Sequence, residues 1–187
     1  MDHKGTVRLE TERLVLRRLT EADAEAMFNN WANDPEVTKY LTWPTHRNVD
    51  MSRGYLAWCA KECEKNETYQ WGIVLKESDE PIGNISVVGR SDEIDALELG
   101  WVIGRRWWGN GYTAEAAKEV IRFLFTEVGA NRIGAGHDTN NPNSGKVMRK
   151  AGMKYEGILR QSGRNNCGIV DCAWYSILRS EWQEEPT

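Results

Sequence analysis

No apolar run in this chain approaches the 18 residues that would cross a bilayer. The opening MDHKGTVRLETERL also lacks an apolar stretch of signal-peptide length, so neither membrane insertion nor export is expected and the chain reads as cytoplasmic. Basic residues are not in excess: 24 Lys and Arg stand against 28 Asp and Glu, a formal charge of -4. Long-range attraction to a nucleic-acid backbone is therefore not built in, and the field mildly favours a cationic substrate such as an amine or a basic peptide end. Cysteine is sparse, and Cys59, Cys63, Cys167 and Cys172 are spaced CxxxC and CxxxxC, neither of which is the CxxC knuckle of a zinc site. Reduced structural thiols and no metal are the expectation. No Pro-, Gly- or Ser-rich linker, charge block or internal repeat divides the sequence.

What is present is an ordinary globular composition, 40% apolar and 28% charged over 187 residues. A chain of that length buries roughly two thirds of the surface its unfolded form exposes, enough for a self-sufficient core. Alternation at Leu14, Leu16 and Leu19 predicts a first strand over 7–19. Thr20 followed by acids predicts a helix to about Asn33, ended by Asp34-Pro35, and a second amphipathic helix spans about 49–64, with Tyr55, Trp58, Cys59 and Cys63 on one side. The β-rich runs 69–77, 81–90 and 96–104, separated by polar turns, predict an antiparallel meander. Ala117, Val120, Ile121, Leu124, Phe125 and Val128 form a helical stripe over 112–128. A strand near 132–136, a helix near 143–151 and strands near 155–161 and 170–178 complete the order β, αα, βββ, α, β, α, ββ. This is one α+β domain, with a mixed sheet of about seven strands flanked by helices. Most of the nine tryptophans fall at apolar-periodic positions and read as core, Trp107 and Trp108 excepted.

The segment Arg105-Arg106-Trp107-Trp108-Gly109-Asn110-Gly111-Tyr112-Thr113 stands between a strand and the start of the 112–128 helix. Its glycines admit left-handed backbone and close ligand approach. The helix start offers unpaired N–H groups and partial positive charge, so the loop suits a phosphate or pyrophosphate. Gly109-x-Gly111-x-x-Ala114 also fits the dinucleotide fingerprint, but four bulky or basic residues separate the strand from Gly109 and no acid follows at the required distance. A simple tight turn is the other reading of the glycines.

Arg106-Trp107-Trp108-Gly109-Asn110-Gly111 resembles the Q/R-x-x-G-x-G/A signature of the GNAT acetyltransferase superfamily. ERLVLRRLTEAD, ELGW, WGNGYTAEA, NPNSGKVMRKAGM and WYSILRSEW look like the ribosomal-protein-alanine acetyltransferase branch, and the likeness runs from about residue 8 to 182. It implies a single GNAT-fold domain over those residues, acetyl-CoA as cosubstrate and an amine acceptor. By position, Arg106, Trp108, Gly109, Asn110, Gly111, Tyr112 and Thr113 would cradle the pyrophosphate, while Trp101, Val102 and Ile103 would lend main chain to the pantetheine arm. Asn141 and Ser144, in the family's N-x-x-S position, would contact CoA with Lys146 as a phosphate partner; capping of the next helix is their other reading.

Acetyl transfer to an amine requires a neutral nucleophile, a polarised carbonyl and a proton for the departing thiolate. No Cys-His or Ser-His arrangement of recognisable spacing is present, in keeping with the direct attack in a ternary complex that the resemblance implies. Glu98, projecting opposite to Leu97 and Leu99, is the candidate base or amine anchor, and a solvated sheet residue is its alternative. Ser144 is the candidate proton donor. The sequence departs from the family at Met148, where many members carry a tyrosine, and at Gly163, where some close relatives carry a glutamate. The acceptor would be set by the regions 31–53 and 160–168, with Tyr40, Trp43 and Trp58 as mouth or packing residues. A protein N-terminal α-amine is the leading acceptor, a polyamine or antibiotic the alternative, and a non-catalytic CoA sensor the rival class. Exposed sheet edges would allow a homodimer.

Overall fold

The computed structural model describes residues 1–182. Its eight strands form one sheet in the order β1-β2-β3-β4-β5-β6-β8-β7. The predicted first strand is instead a short hairpin, β1 (Leu9–Glu10) and β2 (Leu14–Arg17), because Thr11 turns the chain and its amide bonds the Leu14 carbonyl. The first helix is broken into a 3-10 turn (Glu21–Asp23), α1 (Ala24–Met27) and a π-turn (Phe28–Ala32). Asp34-Pro35 ends that helix and starts the next. Asp34 accepts from the Glu36 amide as N-cap, and Pro35 opens the short α2 (Pro35–Thr38). The long α3 (Val49–Glu62) begins on Asn48, whose side chain accepts from the Met51 amide. Of its expected apolar side, Cys59 and Cys63 are buried and Tyr55 half-buried, but Trp58 is 51% exposed and belongs to no core.

The meander is as expected: β3 (Gln70–Leu75), β4 (Pro81–Ser91) and β5 (Ala96–Ile103) pair antiparallel in sequence. The predicted stripe of α4 (Tyr112–Phe123) and the π-turn after it (Leu124–Val128) is buried, every member at 1% exposure or less. It packs on the sheet face that carries Trp71, Ile73, Leu97 and Leu99. Each such side chain contributes about 1.5–3 kcal/mol on burial. A second, smaller cluster forms on the opposite face, where Val102 meets Ala24, Met27, Trp31 and Leu56. Past α4 come β6 (Arg132–Asp138), α5 (Pro142–Lys150), β7 (Lys154–Asn165) and β8 (Gly168–Leu178), the last two forming a hairpin beside β6.

One break in the sheet positions everything that follows. β5 and β6 run parallel but pair only at Ala96–Arg132, Leu97–Ile133 and Glu98–Gly134. Beyond that point β5 stays with β4 as far as Ile103, and β6 stays with β8 as far as Asp138. The two strands therefore diverge into a V, with unpaired edges at 99–103 and 135–138.

Candidate functional site

Two parallel strands deliver two helix N-termini to the wide mouth of the V, since α4 follows β5 and α5 follows β6. Both Gly109 and Gly111 adopt φ +81°, a conformation that disfavours any residue with a Cβ. Gly111 is the N-cap of α4 and supplies no side chain. The first helical bond closes from the Glu115 amide to the Gly111 carbonyl at 3.0 Å. The amides before it are the orphan donors of the helix end, which with the macrodipole carries partial positive charge and suits an anion.

A residue distant in sequence braces this loop. The Arg13 guanidinium donates to the Asn110 carbonyl from both terminal nitrogens at 3.2 Å, bonds Glu115 through Nε at 2.7 Å and lies 4.4 Å from the Tyr112 ring centroid. Burial alone would raise the Glu115 carboxyl. Hydrogen bonds from Thr11, the Arg13 amide and the Arg13 side chain hold it below the ordinary range instead. Sequence reasoning missed Arg13 and Glu115 as site residues. Arg13 lies within the motif ERLVLRRLTEAD, but no local pattern ties it to a loop 97 residues away.

Trp107 corrects the sequence reading, because it is only 7% exposed and belongs to the core. Trp108 is exposed, and its indole donates to the Ile103 carbonyl at 2.9 Å, occupying a group nominated for the pantetheine arm. Strand alternation sharpens the rest. The Gly104 amide bonds Ile82 on β4, and the Val102 carbonyl also faces β4 at Gly83. Val102 thus offers its main chain to the sheet and its side chain to the smaller core, leaving Leu99 and Trp101 to present main chain to the V. Arg106 is exposed and stacks 5.3 Å from the Trp107 ring centroid, near the loop.

Asn141, Ser144 and Lys146 lie at the start of α5, with Asn141 at the N-cap position and Ser144 and Lys146 within the first two turns. Asn141 Nδ2 donates to Ser144 Oγ at 3.1 Å, and Lys146 Nζ reaches Asn143 Oδ1 at 3.2 Å. Glu98 stands at the vertex of the V, exposed, on the face opposite Leu97 and Leu99, with its carboxylate over Gly89. A Cβ at Gly89 would meet that carboxylate at 2.5 Å, so glycine there is what leaves it room. Beside it lies a cluster that the sequence did not reveal. Arg132 holds Glu156 through two bonds of 2.7 and 2.6 Å, and Ser176 donates to the same carboxylate at 2.7 Å. These bonds, Arg132's first, pull the Glu156 carboxyl down to about 2. Met148, where many relatives of the resembled family carry tyrosine, is buried in the main core.

The two regions expected to form an acceptor mouth do meet. Asn166, at the tip of the β7–β8 hairpin, donates from Nδ2 to the carbonyls of Thr38 and Trp43, both at 2.8 Å, and from its amide to Leu41 at 3.1 Å. Tyr40 donates to the Asn140 carbonyl at 3.0 Å, and Trp43 packs 5.1 Å from the His46 ring, whose basicity burial lowers. Among the described residues no cluster of His, Cys, Asp and Glu could hold a metal, and no helix is long and apolar enough to cross a membrane.

Known proteins resemble this chain in sequence and in fold. Residues 13–154 match the family model described as Acetyltransferase (GNAT) domain. The uncharacterized N-acetyltransferase YoaA of Bacillus subtilis is 33% identical, the match covering 91% of this chain and 96% of that protein. The [ribosomal protein uS5]-alanine N-acetyltransferase of Escherichia coli is 31% identical, with 95% and 87% covered. A crystal structure of a GNAT-family acetyltransferase from Bacillus anthracis superposes with a TM-score of 0.81 at 25% identity, over 94% of this chain and all of that one. The chain belongs to the GNAT family of acetyltransferases.

Proposed function

We propose that residues 8–182 act as one catalytic domain that transfers acetyl from acetyl-CoA to an amine by direct attack, with a peptide or protein α-amine as the acceptor. The observation that carries this reading is the V between β5 and β6, with the bare, glycine-bounded end of α4 at its mouth. The pyrophosphate would sit on the amides from Gly109 to Thr113, within reach of Arg106 and of Lys146 on α5. The pantetheine arm would follow the β5 edge past Trp101 toward the vertex, adding to the sheet as a strand would. That path delivers the thioester to Glu98.

At the vertex Glu98 accepts a proton from the acceptor ammonium, directly or through a water, and frees the lone pair. The amine nitrogen bonds to the thioester carbon, the carbon–sulfur bond breaks, the thiolate takes the Ser144 hydroxyl proton, and the proton that the nitrogen sheds on becoming an amide returns to the Ser144 oxygen. Asn141 holds the Ser144 hydroxyl through the 3.1 Å bond. The acceptor would enter between the 38–43 loop and the Asn166 hairpin tip. Similarity to a ribosomal-protein-alanine acetyltransferase supports a peptide acceptor.

The test is thermal stability with acetyl-CoA, NADH or ATP. A ligand at a hundred times its dissociation constant adds about 2.7 kcal/mol, so a rise of several degrees with acetyl-CoA alone is expected. Free-thiol release with peptide amines then follows the transfer. No shift with saturating acetyl-CoA would overturn the assignment.

A further inference from the structure

The glycines that open the loop before α4 also leave it free to take the wrong shape. Gly109 and Gly111 stand at φ +81°, but a residue without a Cβ adopts φ of either sign about equally well. Among the described residues, the amides from Gly109 to Thr113 meet no hydrogen-bond acceptor of the protein, so no ladder bond fixes their direction. Half a turn of the peptide unit between Asn110 and Gly111 would exchange its N–H for its carbonyl oxygen. An anion at the helix start would then meet a repelling oxygen in place of a donor. Gly111 permits that rotation, and nothing local to the loop opposes it.

Arg13 opposes it from the β1–β2 hairpin. Nη1 and Nη2 both donate to the Asn110 carbonyl at 3.2 Å. The carbonyl of a trans peptide and the N–H that follows it point in opposite directions, so holding the Asn110 oxygen on Arg13 turns the Gly111 amide away from the guanidinium. The guanidinium is itself held on two further sides. Nε donates to Glu115 Oε2 at 2.7 Å in the first turn of α4, and the Tyr112 ring centroid lies 4.4 Å from Cζ. The Arg13 amide fixes the same carboxylate at 3.0 Å. This ion pair also neutralises an acid that would oppose an anion at the helix start.

We propose that Arg13 is a positioning residue for the cofactor phosphates, which by fixing the Asn110 carbonyl keeps the Gly111 amide turned to the pyrophosphate and the loop preorganised. This rests on the acetyl-CoA reading of the loop. The role requires the planar fork, which spans carbonyl and carboxylate at once, as a single ammonium on a flexible stem does not. Asn110, Tyr112 and Glu115, the partners that the guanidinium grips, all belong to the loop and the first turn of α4. The effect is therefore confined to the phosphate end of the donor and spares the thioester end.

The experiment compares two donors against one peptide amine: acetyl-CoA, and S-acetylpantetheine, which carries the same thioester and arm without a phosphate. For each, kcat/KM is taken from free-thiol release. In Arg13→Met the ratio of acetyl-CoA to S-acetylpantetheine should fall at least about tenfold, carried by the KM of acetyl-CoA, and the calorimetric dissociation constant of acetyl-CoA should rise by a like factor. Arg13→Lys keeps the charge and disturbs the fold less, and it should lose at least about threefold of the same ratio. An unchanged ratio or dissociation constant in Arg13→Met would overturn the role. So would equal losses for the two donors, which a merely structural part would give, or the full parental ratio in Arg13→Lys. A parent protein that does not bind acetyl-CoA, or does not prefer it to S-acetylpantetheine, would instead overturn the reading of the loop on which the proposal rests.

Discussion

The two halves of the site are built from different materials. The proposed cofactor half is backbone: orphan amides at the start of α4, two glycines at positive φ, and the unpaired edge of β5. The proposed acceptor half is side chain, with Asn166 tying a hairpin to the 38–43 loop and Glu98 over Gly89. Backbone recognition tolerates many sequences provided the glycines remain, whereas side-chain recognition changes with each substitution. A single family can therefore keep one donor and vary its acceptor.

That contrast can be broken most severely at the vertex. Glu98→Gln should lower kcat about a hundred- to ten-thousand-fold, the usual range for a lost general base, while the acetyl-CoA thermal shift stays as in the parent. Unchanged turnover would leave Glu98 a solvated sheet residue. On the cofactor side, Gly111→Val should weaken acetyl-CoA at least about tenfold by calorimetry, from a left-handed backbone that valine adopts at a cost of about 1–3 kcal/mol and from bulk at the anion site. Equal affinity in the variant would show that the loop does not approach the ligand closely.

Smaller effects sharpen the acceptor side. Asn166→Ala removes the donor to Thr38 and Trp43, costing about 1–3 kcal/mol in chemical denaturation. It should raise KM for the acceptor and leave the dissociation constant of acetyl-CoA unchanged. The smallest effect concerns Glu156. Its carboxyl is held near 2 rather than 4.5, so the folded state binds fewer protons than the unfolded chain between those values. Its stabilisation is complete above about pH 5 and is lost as pH falls toward 2. The side chain is 40% exposed, and solvent screening limits the contribution to no more than about 1 kcal/mol. Urea midpoints between pH 6 and 3 should fall less steeply in Glu156→Gln than in the parent.

Much of the fold was legible because its signals are local. The stripe from Ala117 to Val128 repeats with the helical period, and all of it is buried. The turns between β3, β4 and β5 sit where polar residues interrupt β-rich runs. Other features depended on neighbours. The first strand became a hairpin at Thr11, and the first helix broke into a π-turn whose Trp31 and Ala32 pack against α3 and Val102. Trp107 and Trp108 are adjacent in sequence yet divide between core and surface, because the 3-10 turn preceding the glycines points them apart.

Glycine spacing, helix start and strand pattern, each a property of a few consecutive residues, were enough to mark a glycine loop ahead of a helix and most of the order of elements. Pairings over long separations had no such local signature: Arg13 with the loop at Asn110, Asn166 with Thr38, Arg132 with Glu156, and the parting of β5 from β6 after Glu98. They arise from the sheet order, in which β8 and not β7 lies beside β6, and from strand alternation, which turns Val102 toward β4 and leaves Trp101 facing the V. Periodicity along one strand identifies the face a side chain takes, but only the neighbouring strands determine what waits there.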